Sequence, residues 1–81
     1  MRKNYSNEES CKIFCHNVSW LQAHHGLSNK KMAETLKIST ATLNKIKNGE
    51  FPPRLGVEIF FYIGREFKIK PYDQLTVRLG D

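Results

Sequence analysis

The chain has little cysteine: Cys11 and Cys15 are its whole complement. Four residues apart, they sit one helical turn from each other on the same face. A bridge between them would close a tiny loop and constrain little, so a disulfide-built secreted scaffold is excluded. The pair reads as reduced thiols filling a helix face in a cytosolic protein. Long hydrophobic runs are also missing. The longest runs from Ile59 to Ile63, far too short to cross a bilayer. Met1 to Ser10 is polar throughout and has no apolar signal-peptide core. The expected location is the cytoplasm, with no membrane partner.

Catalytic patterns are missing too. Glu58, Glu66 and Asp73 are scattered, no glycine-rich phosphate loop is present, and no Ser or Cys stands in a recognisable nucleophile motif. An enzyme finds no support. His16, His24 and His25 beside the two cysteines do not make a metal site. Neighbouring positions on a helix point in different directions, whereas structural zinc needs four convergent ligands. No metal, cofactor or small-molecule ligand is expected. Strand-like alternation, internal repeats and low-complexity tracts are absent as well.

What is present fits one small domain. The 81 residues allow a modest core and leave no room for a separate effector-binding domain. The expected division is a flexible N-terminal tail (1–7), a single domain (8–76) and a C-terminal tail (77–81). The net charge of +5 suits a polyanionic partner. Much of it is concentrated. From Ser28 to Arg54, Lys30, Lys31, Lys37, Lys45, Lys47 and Arg54 stand against Glu34 and Glu50.

Apolar spacing predicts five helices in a compact all-α bundle. Ser6 and Glu9 have capping-box spacing and open the first. Phe14, Val18 and Leu21 form its inner face, Cys11 extends that face, and Gly26 ends the helix. Ser28 caps a second helix with Met32, Ala33 and Leu36 inward. Ser39 caps a third, anchored by Leu43 and Ile46 and closed at Asn48-Gly49. Phe51-Pro52-Pro53 is a turn. A fourth helix spans about Arg54 to Phe67, with Ile59, Phe60, Ile63 and Phe67 as its core stripe. Pro71 starts a short fifth helix ending near Val77. Trp20 lies off the first stripe, either in the core, under the N-terminal tail or at a partner surface.

The interval from Ser28 to Gly49 has the layout of a helix-turn-helix. Two short helices are separated by a few residues, Ala33 permits their close crossing, and Ile38 plugs the angle. The third helix turns Thr40, Ala41, Asn44, Lys45 and Asn48 away from the core. No carboxylate occurs from Ser39 through Gly49. Short polar groups, a methyl and a basic head can bond base edges, touch a thymine methyl or reach phosphate.

The stretch from Gly26 through Gly49 resembles the helix-turn-helix of phage lambda repressor and Cro-like proteins, the xenobiotic-response-element type of DNA-binding domain. Pro53, the apolar stripe of the fourth helix and Lys68-Ile69-Lys70-Pro71-Tyr72-Asp73-Gln74-Leu75 continue the likeness, which covers roughly Phe14 to Leu75. The resemblance implies a lambda repressor-like fold and sequence-specific binding of double-stranded DNA by a small transcriptional repressor of phage or mobile-element type. It places Thr40, Ala41 and Lys45 at base-reading positions, with Asn44 within reach of base or phosphate. Ser28 and Asn29 would hold a phosphate, Lys31 would be eased by one nearby, and Asn48 matches a phosphate contact.

Three positions depart from the family pattern. Lys37 stands at the turn's usual glycine, where positive φ in another residue costs about 1–2 kcal/mol. Gln22 and Lys47 stand where an Arg–Glu ion pair is common, leaving Lys47 turned to phosphate or stretched to solvent. Lys31 replaces an acidic residue in the first turn of the second helix, against the helix dipole.

Val57, Phe61, Tyr62, Val77 and Leu79 exceed what one core stripe needs. They are expected either to form a homodimer interface for a palindromic operator or to complete a small core. The alternative function is a protein-interaction module such as an antitoxin, with DNA binding secondary.

Overall fold

Two acidic residues in its first turn, Glu8 and Glu9, suit the positive end of α1, which runs Asn7–His24. This is the first of five helices in the computed structural model, which describes residues 7–81. The others are α2 (Asn29–Leu36), α3 (Thr40–Lys47), α4 (Glu58–Phe67) and α5 (Pro71–Thr76), and no strand occurs among the described residues. The capping box expected at Ser6 lies outside the described residues.

Phe14, Val18 and Leu21 are buried as the spacing predicts, and Ile13 and Cys15 widen that face. Phe14 is the centre of the core. Its ring meets Phe51 and Phe60 edge-on, with centroids 5.5 and 5.1 Å away. Met32, Ala33 and Leu36 of α2, Leu43 and Ile46 of α3, and Ile59 and Ile63 of α4 complete the buried cluster. Both α3 and α5 pack on α1, while α2 packs on α3 and α4. No described helix is long and apolar enough to cross a membrane.

Helix ends follow local chemistry. Gly26 takes φ 65°, and the Gly26 and Leu27 N–H groups donate back to the Ala23 and Gln22 carbonyls. That paired closure is the usual solution to orphan carbonyls. Lys37 repeats it without a glycine. It sits at φ 59°, ψ 44°, while Lys37 and Ile38 N–H donate to Glu34 and Ala33. The strain read from the sequence is therefore present. Lys37→Gly is expected to raise stability by about 0.5–1 kcal/mol, the relief being reduced by greater chain freedom when unfolded. A higher urea midpoint with unchanged slope checks this.

The fourth helix starts at Glu58, four residues later than the Arg54 boundary the sequence suggested. The Leu55 N–H donates to the Pro52 carbonyl, so the proline turn continues through Leu55. Leu55 then packs its half-buried side chain on the core, and Gly56 is a poor helix former. Helical bonding begins when Ile59 and Phe60 donate to Gly56 and Val57. α5 ends at Thr76, one residue before the expected Val77, which is extended at φ −114°.

The last residues are fastened to α1. Asn17, buried, donates its Nδ2 to the Gln74 and Val77 carbonyls at 2.9 and 2.7 Å and accepts the Leu79 N–H on Oδ1 at 2.9 Å. His16 Nε2 lies 2.9 Å from the Leu79 carbonyl. Residues 77–81, set apart in the sequence as a tail, thus join the fold. Trp20 is half-buried against the core, stacked on His24 at 4.3 Å, and a Cβ at Gly80 would run into its indole.

Burial, then the neighbouring Cys11, pushes the Cys15 thiol from its ordinary 9.0 up to about 11. The folded chain keeps a proton that the unfolded chain releases above pH 9. The associated stability is whole below that pH and is lost as pH rises through about 11. The urea midpoint should fall across this window more steeply than in a Cys15→Ala variant.

Candidate nucleic-acid interface

Ser39 starts α3. Its Oγ accepts the Thr42 N–H at 3.0 Å, satisfying one of the orphan donors of the first turn. At the other end Gly49 takes φ 89°, and Gly49 and Glu50 N–H donate to Ile46 and Lys45. Both ends are thus closed without help from the side chains of the outer face. Leu43 and Ile46 are buried, which fixes the helix rotation. Thr40, Ala41, Asn44, Lys45 and Asn48 are all exposed. The carboxylate-free face expected from the sequence is therefore a continuous exposed strip of α3.

The phosphate-contact candidates gather at the N-terminus of α2. Ser28 Oγ accepts the Lys31 N–H at 3.0 Å, which leaves the hydroxyl proton available to donate. Asn29 Oδ1 receives two donors, Gln22 Nε2 and Lys47 Nζ, each at 2.8 Å. This fixes the amide orientation and leaves Nδ2 as its unbonded donor. Gln22 Nε2 also donates to the Leu27 carbonyl at 3.0 Å, while its buried Oε1 has no partner among the described residues.

The Gln22–Asn29–Lys47 chain thus links α1, the start of α2 and the end of α3. It occupies the place where the resemblance leads one to expect an Arg–Glu ion pair. Lys47 is neither stretched into solvent nor wholly free: its ammonium is held beside Asn29 yet exposed. Ser28, Asn29 and Lys47 are brought together, Lys31 is exposed in the first turn of α2, and Asn48 follows Lys47 at the α3 C-cap.

The local field is positive. Lys30, Lys31, Lys37, Lys45, Lys47 and Arg54 form no ion pair within the described residues, whereas Lys12 pairs with Glu8 and Arg78 with Asp81. In the sequence Arg54 stands out only as surplus charge, and Lys37 as surplus charge at a strained turn. In the structure both border a cleft of about 270 Å3 that also includes Thr42 of α3. The left-handed residue at 37 and the proline turn before 54 are the local features that bring them there.

The five residues expected at a dimer interface do not behave alike. Val57 and Phe61, one helical turn apart, are 66% and 65% exposed, and Val77 is also exposed. Tyr62 is half-buried, with Lys37 Nζ and the Arg65 guanidinium 5.6 and 5.7 Å from its ring centre. Leu79 packs against the protein's own core. Phe61 of α4 and Val57, the residue just before that helix, therefore carry exposed apolar surface.

No family model matches the chain, and no curated protein or solved structure matches it significantly.

Proposed function

We propose that this chain is a sequence-specific double-stranded DNA-binding protein, a small transcriptional repressor of phage or mobile-element type. In this reading α2 and α3 are a helix-turn-helix of the lambda repressor kind. The observation that carries the proposal is the outer face of α3: exposed, firmly anchored from behind and free of carboxylates.

In this reading α3 enters the major groove. Lys45 bonds guanine acceptors, Thr40 and Asn44 bond base edges, and the Ala41 methyl packs on thymine. Ser28, Asn29, Lys31, Lys47 and Asn48 hold the flanking backbone. The Ser28 hydroxyl, the Asn29 amide and the Lys47 ammonium supply three donors near one helix N-terminus. Two copies on a palindrome would read matching half-sites.

Selection of bound duplexes from random DNA tests the reading. One enriched, palindromic motif is expected; a pool that stays random overturns it. Lys47→Ala should weaken every duplex alike and lower the slope of log affinity against log salt by about one. Titrations at several salt concentrations read that slope.

A further inference from the structure

Where α4 turns into α5, an apolar pocket of about 360 Å3 opens on the surface. Phe61, Ile69 and Pro71 line it, and Gly64 contributes no side chain. The turn that shapes it is held firmly. The Lys68 N–H donates to the Gly64 carbonyl at 2.9 Å with Lys68 left-handed at φ 61°. Buried Gln74 donates Nε2 to the Phe60 and Ile69 carbonyls at 2.9 and 2.8 Å, tying the two walls together. A Cβ on Gly64 would stand 3.1 Å from the Ile69 carbonyl oxygen, so helix and turn are already in close contact.

Its border is cationic. Arg65, Lys68 and Lys70 line the same pocket, no carboxylate does, and none of the three forms an ion pair within the described residues. The Arg65 guanidinium carbon lies 5.7 Å from the Tyr62 ring centre, within cation–π reach, and its side chain is exposed. Phe61 at the lip is two-thirds exposed, with Val57 one turn before it. An apolar cavity at the small end of the ligand-pocket range, with cations around it, matches a side chain flanked by carboxylates.

We propose that this pocket docks an acidic segment of another protein, seating one aliphatic or aromatic side chain against Phe61 and pairing carboxylates with Arg65, Lys68 and Lys70. The charge pattern selects this occupant. A second copy meeting it symmetrically would bring the same three cations to the same place, and residues 1–6 carry Arg2 and Lys3 with no acid. A nucleic acid would satisfy the cations but leave the apolar cavity unfilled. The site is built from α4 and α5, whereas α3 packs on α1 and α2, so it stands independently of the DNA-binding reading.

The test is selection of short random peptides on the immobilised full chain. Enriched peptides are expected to share one apolar residue flanked by Asp or Glu. Their affinity should fall with added salt and drop at least about tenfold in the double variant Arg65→Glu, Lys70→Glu. These substitutions are on exposed side chains, so helical content should be retained; Phe61→Asp removes the apolar contact separately. Duplex binding through α3 should survive in the charge-reversed variant, which keeps failure of this proposal distinct from failure of the other. The proposal is overturned by an unenriched pool, by neutral or basic winners, or by winners indifferent to both variants. It is equally overturned if Phe61→Asp breaks a concentration-dependent dimer seen by light scattering, or if the charge reversals remove DNA binding as strongly as peptide binding.

Discussion

Alanine at both Thr40 and Lys45 should abolish the preference for a selected duplex while leaving the fold unchanged. Both side chains are exposed, and neither contributes to the caps or the core of α3. A good base contact discriminates by about 1–3 kcal/mol, so losing two would reduce the ratio of selected to scrambled affinity by tens- to thousands-fold. The contacts at Ser28, Asn29 and Lys47 would remain and hold any duplex weakly. Titration of the selected and scrambled duplexes with each protein, at one salt concentration, reads the ratio. An unchanged ratio would remove the base-reading assignment, whereas equal losses on both duplexes would recast the two residues as backbone contacts.

Phe14→Ala is expected to have the largest effect on stability. The side chain is wholly buried and its ring is the common neighbour of Phe51 in the loop and Phe60 on α4. Truncating such a ring costs about 3–5 kcal/mol, because the transfer energy and the cavity left behind add. A core of this size supplies little more than that in total. The variant should therefore be largely unfolded at growth temperature and show a collapsed urea midpoint. Near-wild-type unfolding would mean that Phe51 and Phe60 close over the gap.

The helical framework was legible because apolar periodicity and capping residues act locally. Ser28, Ser39, Gly26 and Gly49 each do in the structure what their type suggests, and the strain at Lys37 follows from the same reasoning. The start of α4 was not legible. Nothing in Arg54-Leu55-Gly56-Val57 forbids a helix, and the turn wins because Leu55 is drawn into the core. The exposed strip of α3 was visible as an absence of acids. The Gln22–Asn29–Lys47 chain was not, since its members lie up to 25 positions apart and meet only through tertiary packing. Asn17 and Gln74 carried even less signal: polar residues at helical positions look like solvated ones until the partner carbonyls are known.

That last pair has a consequence for how the chain finds one arrangement among several. α5 has only six residues, too few to interlock by shape with α1 in one way. Apolar contact alone tolerates a slide of the short helix along its bed. Hydrogen bonds do not, because a slide would leave the Asn17 amide and the Gln74 Nε2 dry and unmatched. The two amides index the fifth helix against the first and the fourth, so its docking has a single register even where greasy contact would accept neighbouring ones.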